Sequence, residues 1–546
     1  KGGPPVGGSP DDLLFPADEI HDGGSMTDSD ATLPAGECNG TLRDADDEED
    51  DEREEAELAL ANRGFEANPP PLDTHATRSR DGGAGRIDSL DLLRGLIVIV
   101  MAWDHSKDFL ASYKGQDGTS PGDDGAGSYG THTEGYAGPL EMFSGRLGYF
   151  LARAISHICA PGFSFLMGAG MIMLKESRMT RSGWTGRKVC RFFLLRGILL
   201  IVLGFVVRAS FLILLVDPTP VVKAHISKST SPVLGDLLGF FQVMTSLGLS
   251  MIAASPLVSM MLPRLTQNEL PSSLEAPLLE SSDHQERIGQ LEAAASVRKI
   301  GVICGLLATA MLAADQCIVW LAQGSDPGKA HTTDATSFGE IIVRFTLVPG
   351  EFDTLPSQNE YPFVPWLAIC LAGVSFGASL IVHKDRVIKS CGLYGACLLA
   401  LFVLARLLGG RVLSMRGWPL HEGREYPAIS ILNVCKYPPS VAYMLLTMGI
   451  NLLLLRFLAK VKRPGSDPCS RSLLAFGRAP LVFYVVHFYA ITAFTVILYA
   501  TTGIYGIPMS LVFVVWLGLL ALMRVLCDCF AAFKKKTTVD SIWRFF

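Results

Sequence analysis

RIDSLDLLRGLIVIVMAWDHSKDF (residues 86–109) is mostly apolar, yet it carries Asp91, Arg94, Asp104 and His105. Charged side chains cost about 2.5–3.5 kcal/mol each at the centre of a hydrocarbon layer on insertion scales. A segment of this kind therefore needs something other than lipid to face. The rest of the chain says that lipid is the right solvent to consider. Its 546 residues are 49% hydrophobic and only 18% charged, with a mean hydropathy of +0.32. The apolar residues gather into blocks of about 20, enough to cross a ~30 Å core at 1.5 Å per residue. These features predict an all-α, polytopic membrane helical bundle.

The net charge of −6 conceals two opposed parts: residues 1–85 hold 22 Asp/Glu against 6 Lys/Arg, so a tail of −16 is set against +10 for the remainder. The tail, with its DADDEEDDEREEAE run and many Gly and Pro, reads as disordered. The expected division is an acidic tail over 1–85 and a multi-pass domain over 86–546, interrupted by a partly disordered loop at 263–298. No secretory signal opens the sequence, and a start at Lys1 rather than Met is expected of a chain lacking its natural N-terminus. Twelve cysteines form no CxxC pair and no metal-ligand spacing with His. Cys159, Cys304, Cys317, Cys370 and Cys397 lie in apolar blocks and read as core residues; Cys527 and Cys529, near the last exit, are weak candidates for palmitoylation.

About ten spans are expected, at 90–112, 147–174, 190–216, 233–262, 299–322, 362–383, 388–409, 437–458, 479–500 and 508–531. Connections alternate in charge. Lys175, Arg178, Arg181, Arg187, Lys188 and Arg191 follow the second span; Lys384, Arg386 and Lys389 follow the sixth; Lys460, Lys462, Arg463 and Arg471 follow the eighth; Lys534, Lys535 and Lys536 follow the tenth. The intervening set, at 113–146, 217–232, 323–361 and 410–436, is long, polar or acidic. Basic connections stay in the cytoplasm, which predicts both termini inside.

On a helix, Arg94 and His105 are 11 residues apart and fall within about 20° of each other, with Asp91 about 40° from His105. The three form one polar stripe, with Arg94 near the cytoplasmic end and His105 about 16 Å away in the outer half. Asp91 and Arg94 are placed to pair at i,i+3. A stripe that is polar at both depths should face a cavity. An arginine at the inner mouth suits a phosphate-bearing donor, and a deeper histidine suits proton transfer near neutral pH. The structural alternative is an interfacial Asp91–Arg94 anchor with His105 bonding between helices. Asp104 points about 100° away from His105 and is not expected to orient it.

Further polar groups suit the same cavity. ISHICAPGFSFLMGAGM puts His157 in the outer half of the second span, with a kink expected at Pro161 and close helix approach at Gly168 and Gly170. GRAPLVFYVVHFY puts Pro480, Tyr484 and His487 on one face, with His487 near mid-membrane. Arg478 is either an anchoring arginine or a contact for donor phosphates. YPFVPW (residues 361–366) reads as an interfacial aromatic belt, with Trp366 as a minor candidate for lining the cavity. The Gly-rich outer loop TSPGDDGAGSYGTHTEGY reads as a lid or plain loop and has no credible metal spacing.

Arg, ten residues, His on a first span resembles the signature of membrane acyltransferases. The wider pattern resembles the heparan-α-glucosaminide N-acetyltransferase catalytic-domain family: SLDLLRGLIVIVMAWDHSKDF, SHICAPGFSFLMGAGM, YPFVPWLAICLAGVSFG, KYPPSVAYMLLTMGINLLLL, FGRAPLVFYVVHFY and LCDCFAAFKKK occur in that order, covering about residues 86–546. The resemblance implies acyl transfer, typically of acetyl from cytoplasmic acetyl-CoA as co-substrate, to a sugar or amine on the far side of the bilayer, with no bound cofactor or metal. The enzyme that names the family uses a histidine slightly further along, so its glucosaminide substrate does not carry over. His105 would be the catalytic base, with Arg94, Asp91, His157, His487, Tyr484 and Arg478 as donor- or substrate-binding candidates. Expected partners are the acyl-CoA donor, the acceptor and the bilayer, with no nucleic acid; a homodimer is admitted, as are plasma and endolysosomal membranes. The alternative is a proton-coupled transporter using the same stripe, although no repeat relates the two halves. A membrane scaffold would not need charges at several depths.

Overall fold

The computed structural model describes residues 87–111, 147–214, 242–259, 279–323, 338–347, 350–352, 357–359, 361–408, 413, 427–503, 506–538, 541 and 543. All of these belong to the unit Asp81–Phe546. The acidic tail, the Gly-rich loop and residues 263–278 lie outside the described residues, while the rest of the loop expected at 263–298, from Leu279 onward, is helical.

Helix α1 spans Asp88–Leu110, with Asp88 and Asp91 in its first turn and Lys107 in its last, each complementing the helix dipole. A short α2 (Leu147–Ala154) runs through a 3-10 turn, Ile155–Ile158, into α3 (Cys159–Ser182). Next come α4 (Gly186–Leu214), α5 (Val243–Ser259), α6 (Leu279–Gln323) and α7 (Phe338–Thr346). Two three-residue strands, β1 (Gly350–Phe352) and β2 (Ser357–Asn359), pair antiparallel with Glu351 opposite Gln358. The chain continues through α8 (Phe363–Leu408), α9 (Pro427–Leu432), α10 (Val441–Leu458), α11 (Pro468–Arg478), α12 (Pro480–Thr502) and α13 (Met509–Lys536). Gly183 (φ 58°) and Gly503 (φ 68°) end α3 and α12 in the left-handed conformation that a side chain would disfavour.

Among the described residues, seven helices are long and apolar enough to cross a membrane: 150–182, 186–207, 294–321, 363–408, 441–458, 480–502 and 509–536. This is a multi-pass helical membrane protein. Every expected span has a helical counterpart, with instructive differences. The spans expected at 362–383 and 388–409 are both present in α8, which is two helices meeting at a kink, with His383 (φ −141°, ψ 58°) non-helical at the expected boundary. The intervening KDRVIK contains no Gly or Pro, so the helix resumes at once. The span expected at 233–262 is the 17-residue α5 within the described residues. Pro161 does not kink a helix; it occupies the first turn of α3, where a missing N–H is tolerated, and the irregularity lies before it at Ile155–Ile158. Helix α3 also runs on to Ser182 through residues expected to be loop, leaving only a short connection to α4.

Helix α1 is too rich in charge to count among the seven apolar helices. It does not need their composition, because α3, α10, α11, α12 and α13 all pack against it, and of its residues only Asp108 is exposed. Its contact with α11 is a backbone approach: a Cβ on Gly95 would strike the Leu473 carbonyl, and one on Gly477 would strike that of Asp91. Cys159, Cys304 and Cys370 are buried as expected, but Cys317 and Cys397 are exposed; they face outward on helices whose outer surface is apolar.

Candidate functional site

A cavity of about 600 Å³ lies along α1. The polar stripe lines it as helical geometry requires: Asp91 and Arg94 at one end, Asp104 and His105 at the other.

At the first end, the 3% exposed Asp91 accepts a hydrogen bond from Arg94 (Nη1 to Oδ1, 2.7 Å). The Arg478 guanidinium lies 3.9 Å from the second Asp91 oxygen and 3.3 Å from Asp88. One buried carboxylate thus braces two arginines contributed by α1 and α11. Arg178 and Arg181 of α3, Arg196 of α4 and Lys534 of α13 join the lining. The Nε of Arg196 is buried with no hydrogen-bond partner among the described residues. Gly170 faces Arg94, whose Nη2 lies 3.7 Å from where a Cβ would sit, so the missing side chain leaves room for the guanidinium; Gly168 instead abuts the Cys370 carbonyl.

At the other end, His105 Nδ1 lies 2.7 Å from His487 Nε2, and His487 Nδ1 lies 2.9 Å from the Phe483 carbonyl oxygen. A carbonyl oxygen can only accept, so His487 Nδ1 carries a proton. With both rings neutral, His487 Nε2 then accepts and His105 Nδ1 donates. This leaves His105 Nε2 with its lone pair, the form a general base requires. The two rings are tilted by only 14°, and Phe488 packs 4.4 Å from His105 between centroids.

The structure therefore brings Asp91, Arg94, His105, Tyr484 and Arg478 to one cavity and places two expected residues behind it. His487, wholly buried, contacts His105 from the protein side and is not in the lining. His157 is also buried away from the lining; it packs edge-on to Tyr443, whose hydroxyl donates to the His157 carbonyl at 3.0 Å. Asp104 accepts from Lys107 at 2.8 Å, in keeping with its expected inability to orient His105. Trp366 is 1% exposed in the core and does not line the cavity. Its neighbour Tyr361 does line it, and accepts a 3.0 Å bond from the Tyr437 hydroxyl.

Sequence reasoning missed Arg196 and Lys436 as lining residues. An isolated arginine within the apolar run RFFLLRGILLIVLGF was a legible signal for Arg196. Lys436, 6% exposed, precedes α10 in a segment with no helical period from which its direction could be read. Among the described residues no group of His, Cys, Asp and Glu could hold a metal ion. No family model and no curated protein matches this chain.

Proposed function

We propose that the protein is a membrane acyltransferase that moves an acetyl group from cytoplasmic acetyl-CoA to a sugar or amine acceptor on the opposite side, as the resemblance to the heparan-α-glucosaminide N-acetyltransferase catalytic-domain family implies. The observation that carries this reading is a single cavity with an arginine-rich end and a histidine end, about 16 Å apart along α1. Separate phosphate and acyl ends suit a donor whose thioester is carried on a long arm. Arg94, Arg196 and Arg478 would hold the donor phosphates, with Asp91 fixing two of them. Tyr484 lines the cavity at the histidine end, edge-on to His105.

In the reaction, the acceptor nitrogen or oxygen attacks the thioester carbonyl carbon. His105 Nε2 takes the acceptor proton as the new bond forms, and the proton passes to the sulfur as the C–S bond breaks. His487 is a positioning residue in this scheme: it holds the His105 tautomer through Nδ1. The reading includes ten membrane crossings with both termini cytoplasmic, supported by the alternation of basic connections.

The test is to incubate membranes with labelled acetyl-CoA and identify the labelled acceptor by mass spectrometry. His105→Ala should abolish labelling without lowering the unfolding temperature, and normal turnover in that variant sinks the assignment. Proton-coupled uptake into liposomes, without binding of coenzyme A, would replace the enzyme by a transporter.

A further inference from the structure

A second cavity, of about 520 Å³, lies between α6 and α8, away from the histidine site. On α6 its lining is Ala294, Ala295, Arg298, Lys299, Val302 and Ile303, a repeating pair at four-residue intervals that forms one helical face. Across from it are Val382 and His383, at the point where α8 departs from helical geometry. The groove has a clear cause. Further along the pair, a Cβ on Gly301 would lie 3.0 Å from the Ala378 Cβ, and one on Gly305 3.0 Å from Ser375 Oγ, so the two helices are in close contact. Towards residue 294 the two alanines leave space that the break at His383 does not fill.

The groove is two-sided in chemistry. Val302 and Ile303 are 54% and 44% exposed on a helix apolar enough to cross a membrane. Arg298 and Lys299, one turn away, are exposed and form no ion pair among the described residues. Lys384 and Arg386, also exposed, follow His383 with Asp385 between them. Two cations directly above an apolar slot complement a phosphate above acyl chains. A soluble anion would have no use for the slot, and a zwitterionic lipid would have less use for the paired charges.

We infer that this groove binds an anionic phospholipid, with its headgroup phosphate at Arg298 and Lys299 and an acyl chain along Val302, Ile303 and Val382. The inference rests on the membrane fold and on the cytoplasmic placement of this end, and it is independent of acyl transfer.

Delipidated full-length protein in detergent, offered phosphatidylglycerol or phosphatidylcholine and read by native mass spectrometry, tests it. One phosphatidylglycerol should be retained in preference to phosphatidylcholine. Arg298→Gln/Lys299→Gln should weaken retention roughly tenfold or more. Ala295→Phe, which fills the slot and keeps both charges, should also lower it. Inorganic phosphate alone should leave the lipid in place. Equal retention of the two lipids, unchanged retention in either variant at an unaltered unfolding temperature, or full displacement by inorganic phosphate overturns the inference.

Discussion

The two ends of the α1 cavity are built on opposite plans. At the arginine end, cationic side chains arrive from α1, α3, α4, α11 and α13; the Arg94 side chain is 20% exposed and that of Arg478 47%, and Asp91 serves both. Long, partly solvated guanidinium groups can adjust to a ligand, and losing one leaves the others in place. At the histidine end, two imidazoles and one backbone carbonyl form a chain in which each group fixes the next, packed among Phe483, Tyr484 and Phe488. Here His105 depends on His487 for its Nδ1 partner, and His487 on the backbone of its own helix. The difference teaches where redundancy can be afforded: one end is designed to hold and the other to react, so damage at each should appear in a different kinetic constant.

Four variants press on that contrast. His105→Ala should give the largest effect, a kcat for acetyl transfer lowered by about 10²–10⁴ with KM for acetyl-CoA nearly unchanged; a rise in KM alone would merge the two ends into one binding site. His487→Phe keeps the ring volume but removes the acceptor for His105 Nδ1, and kcat should fall roughly 5- to 150-fold. His487→Gln, which can still accept, should recover part of that loss, whereas a purely space-filling role would favour the phenylalanine. Arg196→Gln should raise KM for acetyl-CoA roughly tenfold with kcat preserved, because the remaining arginines still place the donor; a selective fall in kcat would show that the arginine end takes part in the chemistry.

The smallest effect concerns the frame of the arginine end. Asp467 caps α11, accepting from the backbone N–H of Ser470 at 2.8 Å. Its carboxyl is held below the usual range, first by the Ser470 hydroxyl and then by that N–H. The stability it adds is present above the ordinary carboxylate pKa of about 3.9 and is lost as pH falls through the lowered value. Asp467→Ala should lower the unfolding temperature slightly near neutral pH and remove this component of the acid sensitivity, with activity retained. Unchanged acid unfolding would show that the Asp467 cap is not what holds α11 in place.

The bundle and the α1 stripe were legible in the sequence because both depend on local periods: blocks of about 20 apolar residues and a 100° step. Asp91, Arg94 and His105 share a cavity for that reason. The bond between His105 and His487 joins residues 382 apart, and no local rule specifies it. Depth in the membrane predicts that two histidines are neighbours, but not which of them meets solvent; that depends on how α12 is rotated against α1. His157 illustrates the same gap, since its depth suited the cavity while the turn before α3 directs it to Tyr443. The boundary between the sixth and seventh spans was legible as well, because the charged residues that end the sixth apolar block follow directly on the kink at His383.

The burial of α1 bears on how the protein is made. A helix carrying Asp88, Asp91, Arg94, Asp104, Lys107 and Asp108 enters a bilayer poorly by itself. Of the helices packed around it, α11, α12 and α13 lie in residues 468–536, far later in the chain than α1. The earliest of the described helices to leave the ribosome must therefore await the latest before its charges are enclosed. A chain cut short before residue 468 would leave α1 with three of its walls missing, and would present to the cell's quality control a membrane segment that lipid does not retain.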